Sequence, residues 1–170
     1  LYARMLERAV RALKSGRALE DDLSVDISTE VNLHVPALLP ATYCSDVHER
    51  LALYKRLADA ASREELDALR EELVDRFGEL PEPARALLEC HQVRLAARSL
   101  GVARIDATHE AVLLQFVKNP PLDGARVIAF VQRHRGARLA GPERLRVEAK
   151  LPAWPERAQA IKDILQQLAA

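Results

Sequence analysis

The stretch ELVDRFGELPEPARALL, Glu72 to Leu88, leaves the chain few local folds. In a helix interior glycine costs about 1 kcal/mol relative to alanine, and proline about 3 kcal/mol. Gly78, followed closely by Pro81 and Pro83, therefore predicts a stop and an immediate restart: two helices joined by a tight turn. Upstream, Ser62 and Glu65 have the S-x-x-E spacing of a capping box. Leu66, Leu69, Leu73, Val74 and Phe77 recur at helical spacing between that cap and Gly78, which fits the left-handed C′ position. The second helix is expected over 83–100, closed by Gly101. Its apolar residues, among them Leu87, Leu88, Val93, Leu95, Ala97 and Leu100, wrap much of the circumference, which predicts the central, most buried helix.

Around this pair the patterning is mixed. Leu1, Met5, Ala9, Val10 and Leu13 have helical spacing and Gly16 supplies a stop, while residues 17–28 are acidic and aperiodic, as in a linker. Leu1 already lies inside the helical pattern with no initiator before it, so the chain is expected to be a piece of a longer protein. Thr29 to Val35 alternate, Val31, Leu33 and Val35 on one side, which predicts a half-buried strand ended by Pro36. Asp46 can cap a helix carrying Val47, Leu51, Tyr54 and Ala58, widened by Leu53 and Leu57. Beyond Gly101 the period changes. Val102–Ala107 and Ala111–Val117 predict a hairpin, and a helix capped by Asp123 carries Val127, Ile128, Phe130 and Val131. ARLA and ERLRVEA predict a second hairpin around Gly141-Pro142, and Trp154-Pro155 opens a last helix with Ala158, Ile161, Leu165 and Leu168 inward. The class is α+β: helices with a small, mainly antiparallel sheet, the C-terminal part being ββαββ plus a helix. The expected organisation is a boundary helix and linker over 1–28 and one domain over 29–170.

Charge is balanced overall, with 25 basic and 25 acidic residues, so no global field draws the chain to nucleic acid or membrane. The balance conceals a separation. Between Ser62 and Glu89 nine acids face four bases, whereas between Lys118 and Val147 seven bases face two acids. An acidic middle and a basic C-terminal third point to charged partners. Cys44 and Cys90 stand apart, without a disulfide framework or a CxxC pair, as in a reducing cytoplasm. There is no run of eighteen apolar residues, so a membrane-spanning helix is not expected.

The sequence offers little reaction chemistry. Gly136 and Gly141 have the glycine spacing of a phosphate-binding loop, but Pro142 and Glu143 replace the Lys and the Ser or Thr that would supply charge and metal contact. Cys44 with His48 and Cys90 with His91 lack the converging ligands of a metal site or the oriented base of a nucleophile. His34, His109 and His134 are scattered over other elements. No catalytic, cofactor or metal site is therefore assigned, and the chain is read as a non-enzyme. The acidic helix is more pointed. At about 100° per residue, Leu66, Leu69, Leu73 and Phe77 gather on one side and Glu64, Glu71, Glu72 and Asp75 on the other. Acids near a helix C-terminus oppose the macrodipole, which Arg76 offsets in part as the i, i+4 partner of Glu72. Two readings stay open for this face: a solvated surface, or a docking surface for a basic partner. The basic third leaves a further alternative, a nucleic-acid-binding accessory domain, although aromatic stacking platforms are missing.

Three segments, VNLHVPALLPATY (Val31 to Tyr43), RLALYKRLA (Arg50 to Ala58) and ELVDRFGELP (Glu72 to Pro81), resemble in order and spacing the C-terminal domain of the bacterial transcription-repair coupling factors, the Mfd family. The specific part covers residues 29–101, and Tyr43-Cys44 stands where that family often has Tyr-Ile. The opening helix resembles the segment joining that family's translocase module to this domain. The resemblance implies a parent that is an ATP-dependent DNA translocase of transcription-coupled nucleotide-excision repair, acting on stalled RNA polymerase and recruiting UvrA. Its ATP and Mg sites would lie outside this chain. It implies a regulatory, autoinhibitory role: packing on the parent's N-terminal UvrB-like module and masking the UvrA-binding surface. The residues it points to for that contact are Glu72 and Asp75, to which the helical wheel adds Glu71 and Arg76 as neighbours.

Overall fold

The computed structural model describes residues 29–169, so the expected boundary helix and linker lie outside the described residues. The chain runs through β1 (Glu30–Asn32), α1 (Val47–Asp59), α2 (Arg63–Phe77), α3 (Glu82–Arg98), β2 (Val102–Ala107), β3 (Ala111–Phe116), α4 (Gly124–Arg133), β4 (Ala137–Leu139), β5 (Arg144–Glu148) and α5 (Trp154–Ala169). The strands form one sheet in the order β1-β2-β3-β5-β4. β1 runs parallel to β2, with Val31 opposite Ile105, and every other pairing is antiparallel. Ile105 faces Leu114 and Leu114 faces Leu145, which sets an apolar row across the sheet. The expected α+β class and the ββαββ-helix tail are what the structure contains.

Two cores share α3. Leu53 and Leu57 from α1, Leu66, Leu69 and Leu73 from α2, and Ala84, Leu87 and Leu88 from the start of α3 form a helical core, into which Leu39 and Cys44 project from the loop after β1. The end of α3, through Val93, Ala97 and the adjoining Leu100, enters a second core with the sheet, Phe130 of α4 and one side of α5. The all-round apolarity of α3 thus has a physical cause, because its two halves bury different faces against different neighbours.

Several boundaries and faces depart from the sequence expectation. The first strand stops at Asn32, because His34 takes a positive φ of 59° and its N–H donates to Asn32 Oδ1 at 2.8 Å, closing a local turn. Its alternation nevertheless survives, with Leu33 buried and Val31 and Val35 packed on the sheet core. α1 turns a different side inward than its apolar stripe suggested: Leu53 and Leu57 are 2% and 0% exposed, whereas Val47 is 53% and Leu51 43% exposed. Neighbours cover only one flank of α1, and burial follows the neighbours. Val74, expected inward, is exposed for the same reason, as is Ile128 of α4.

One buried cation went unremarked in the sequence. Arg157 is 8% exposed and donates to three backbone carbonyls: Nε to Leu151 at 2.9 Å, Nη1 to Leu33 at 2.9 Å and Nη2 to Pro152 at 3.2 Å. It makes no ion pair among the described residues. The carbonyls take the place of a counter-ion and tie α5 to the segments after β1 and β5. At the opposite end of β1, Thr29 Oγ1 donates to Val102 O at 2.6 Å and anchors the entry to the strand. Arg157→Leu would leave these carbonyls short of donors, and the expected loss is about 2 to 4 kcal/mol of unfolding free energy. Urea denaturation measures it; a loss under about 1 kcal/mol would show that water replaces the guanidinium without penalty.

Candidate protein-interaction face

The acidic helix α2 begins as its sequence requires. Ser62 accepts from Glu65 N–H at 3.2 Å, and the Glu65 carboxylate accepts from Ala61 N–H at 2.9 Å, so the reciprocal cap forms one residue out of register. Leu66, Leu69 and Leu73 are buried, while Phe77 is half-buried instead of forming a sealed end. Its ring lies 5.5 Å from that of Tyr43, and the Arg76 guanidinium stands 4.9 Å above it.

The helix stops at Gly78 in a conformation more demanding than the left-handed one expected. Gly78 is itself the C-cap, with φ 93° and ψ −169°, a region populated essentially by glycine alone. Its N–H bonds back to Val74 O at 2.9 Å. Its own carbonyl then meets the Tyr43 hydroxyl at 2.7 Å, and that hydroxyl also lies 3.1 Å from Leu73 O. Burial raises the Tyr43 phenol above its ordinary pKa, and the neighbouring Cys44 adds to the rise, so the hydroxyl remains a donor here. The loop after β1 thereby locks the end of the acidic helix.

The charged residues separate into a scaffold and a free face. Glu72 lies at the flank toward α1, not among the outermost acids. Arg56 of α1 grips it with two parallel bonds of 2.8 Å each. Arg76 donates to the same carboxylate at 3.0 Å and also pairs with Glu49 of α1. This neutral chain of two acids and two bases zips α1 to α2. The hydrogen bond from Arg56, with its positive charge, holds the Glu72 carboxyl below the usual carboxylate range, and the same contact raises the Arg56 pKa. Glu71 and Asp75 are exposed and make no ion pair among the described residues, as is also true of Glu64. The four residues singled out from sequence therefore do different things: Glu72 and Arg76 build the platform, and Glu71 and Asp75 project from it. Arg56 and Tyr43 were missed, because only the tertiary fold brings residues so distant in sequence against α2.

No group able to hold a metal ion occurs among the described residues. Cys44 is fully buried. Burial, helped by Glu89, pushes the Cys90 thiol up to about 12, far from a reactive thiolate. His34 lies 3.4 Å from Asp106, and His134 Nδ1 donates to Phe130 O at 2.9 Å, so these histidines are on different elements. No described helix is long and apolar enough to cross a membrane.

The geometry can be set beside known proteins. The family model described as the TRCF domain matches residues 33–127. The transcription-repair-coupling factor of Escherichia coli K12 is 37% identical over 171 residues, covering 99% of this chain and 15% of that protein. The factor of the same name from Myxococcus xanthus is 34% identical over 152 residues, 89% of this chain and 12% of its own length. The chain thus spans only a small part of the curated relatives it matches. A crystal structure of the C-terminal domain of a transcription-repair coupling factor superposes with a TM-score of 0.69 at 24% identity, covering 86% of this chain and 97% of that one. At that identity the likeness concerns the fold.

Two outcomes are expected. Gly78→Ala should cost about 1 to 3 kcal/mol by backbone strain alone, since nothing lies within 4 Å of the added Cβ. A calorimetric melt unchanged from wild type would refute the strain. The lowered folded pKa of Glu72 makes its contribution fully present above the unfolded value of about 4.3. It is lost as pH falls through the lower folded value. The melting advantage of wild type over Glu72→Gln should therefore hold at neutral pH and vanish in acid; a gap independent of pH would remove the ion pair as its source.

Proposed function

This chain belongs to the TRCF-domain family of the bacterial transcription-repair-coupling factors, and from that membership we propose that it is an autoinhibitory interaction domain rather than an enzyme. In this reading the parent is an ATP-dependent DNA translocase of transcription-coupled excision repair. The domain packs on the parent's N-terminal UvrB-like module and keeps the UvrA-binding surface masked until RNA polymerase and DNA are engaged. The observation that carries it is the division of labour on α2. Glu71 and Asp75 stand exposed and unpaired among the described residues, on a helix whose flank and end are fixed by Arg56, Arg76 and Tyr43.

Such a face suits a reversible clamp. The helix that bears these carboxylates is already fixed, so a basic partner surface gains charge-assisted bonds without ordering the backbone. The contact is polar and partly hydrated, and competing interactions elsewhere in the parent can release it. A large apolar interface would resist such release. Reversing Glu71 and Asp75 sets like charges against the basic surface, whereas reversing Glu72 also breaks the α1–α2 zipper and confounds folding with binding.

The test follows from that distinction. Glu71→Lys with Asp75→Lys should melt within a degree or two of wild type, as exposed substitutions do. Capture of the separate N-terminal module by this chain should weaken about tenfold or more. In the full-length parent the same pair should raise UvrA binding and polymerase-independent ATPase activity. A folded double variant that matches wild type in all three readouts would reduce the face to a solvated surface.

A further inference from the structure

The sheet has a second face that the described helices leave open. α3, α4 and α5 cover one side, with Ile105, Leu114 and Leu145 inward. The alternate residues of β2, β3, β4 and β5 point the other way. The register sets Arg104 beside Gln115 and Gln115 beside Arg144 in one row. In the next row Leu113 lies beside Arg146, and Arg146 beside Arg138. A shallow depression of about 250 Å³ opens there, lined by Arg104, Asp106, Leu113, Gln115 and Arg144.

Three details show that this face is not neutralised by the described residues. Arg138 makes no ion pair among the described residues and stands directly opposite Arg146, and like charges so placed repel. Arg146 Nε is shut off from solvent and has no hydrogen-bond partner among the described residues; the contact of Nη2 with Glu148 is a loose 3.7 Å. Arg144, by contrast, is pinned by its Nε to Gln115 Oε1 at 2.8 Å, which holds its terminal nitrogens in a fixed fork. Carboxylates arriving at this face would meet the exposed Arg138 and Arg144 and relieve the repulsion between Arg138 and Arg146.

We propose that the open face of the sheet is a second docking surface, separate from α2, which takes an acidic protein segment whose carboxylates meet Arg138, Arg144 and Arg146. The face favours a peptide over a nucleic acid. Glu30, Asp106 and Glu148 are interspersed on the same side, where they would repel a continuous phosphate backbone but leave room for spaced carboxylates. Leu113 gives an apolar contact at the centre, and among the described strands the one Phe, Tyr or Trp, Phe116 of β3, is 6% exposed and offers a base no stacking platform.

The experiment uses the 170-residue chain and a fluorescently labelled peptide of alternating Glu and Ala at low salt, with duplex DNA as competitor. Wild type should bind the peptide and shift amide resonances on β3, β4 and β5, not on α2. Arg138→Gln with Arg144→Gln, both at exposed positions, should weaken binding about tenfold or more with an unchanged melt. Neutralising α2 instead, by Glu71→Gln with Asp75→Asn, should leave binding within about twofold, which separates this face from a net-charge effect. Absence of binding, equal binding by the arginine variant, resonance shifts on α2, or displacement by duplex DNA at equal phosphate charge would each overturn the proposal. The resonance map decides the matter even if the arginine variant fails to fold.

Discussion

Burial of α3 from two directions is the constraint on which the rest of this structure depends. Its first half closes the helical core through Ala84, Leu87 and Leu88, and its second half closes the sheet core through Val93 and Ala97. Exposing either half would forfeit about 2 kcal/mol for each large apolar side chain returned to water, so the two cores are held as one body. The acidic platform on α2 is thereby fixed relative to the sheet, and a partner pressing on one would meet a rigid support. Polar contacts reinforce the joint. Trp154 Nε1 donates to Glu82 at 3.0 Å, and Lys162 pairs with Glu89 at 2.6 Å, both linking α5 to α3.

The interaction face shows how a helix end is made into a site. Acids in the last turns of α2 oppose its macrodipole, a local cost. The structure offsets that cost in two ways. Arg76 sits in the last turn and neutralises Glu72 and Glu49, and Tyr43 engages the carbonyl that Gly78 turns outward. Glycine is required at that corner because the carbonyl reaches Tyr43 only with a positive φ and an extended ψ. The likeness carried by ELVDRFGELP thus has a physical basis: Arg76 holds the platform, Phe77 stacks beneath it and Gly78 makes the lock.

Much of this was legible in the chain. The capping box at Ser62, the caps at Asp46 and Asp123, and the glycine stops placed the helices close to their observed ends, because these signals act over three or four residues. Alternation placed the buried side of the first strand, and the change of period after Gly101 separated the helical part from the sheet. The sequence misled where a local pattern had to choose among faces. Val47 and Leu51 formed the better stripe on α1, yet Leu53 and Leu57 are buried, because which side of a helix meets neighbours depends on packing beyond its own residues.

The sequence by itself determined element types, the α+β class, the family and the acidic character of α2, all properties carried by residue type and short-range spacing. Only the tertiary structure decided which acids are free. Glu72 and Asp75 look equivalent on a helical wheel, but Arg56 approaches from α1, sixteen residues away, and claims Glu72 while Asp75 stays exposed. The same holds for Arg157, whose partner Leu33 lies 124 residues away, and for Arg138 and Arg146, brought opposite each other by strand register. Ion pairs and hydrogen bonds fall off within a few ångströms, and distances that short between remote residues exist only once the two cores have closed on α3.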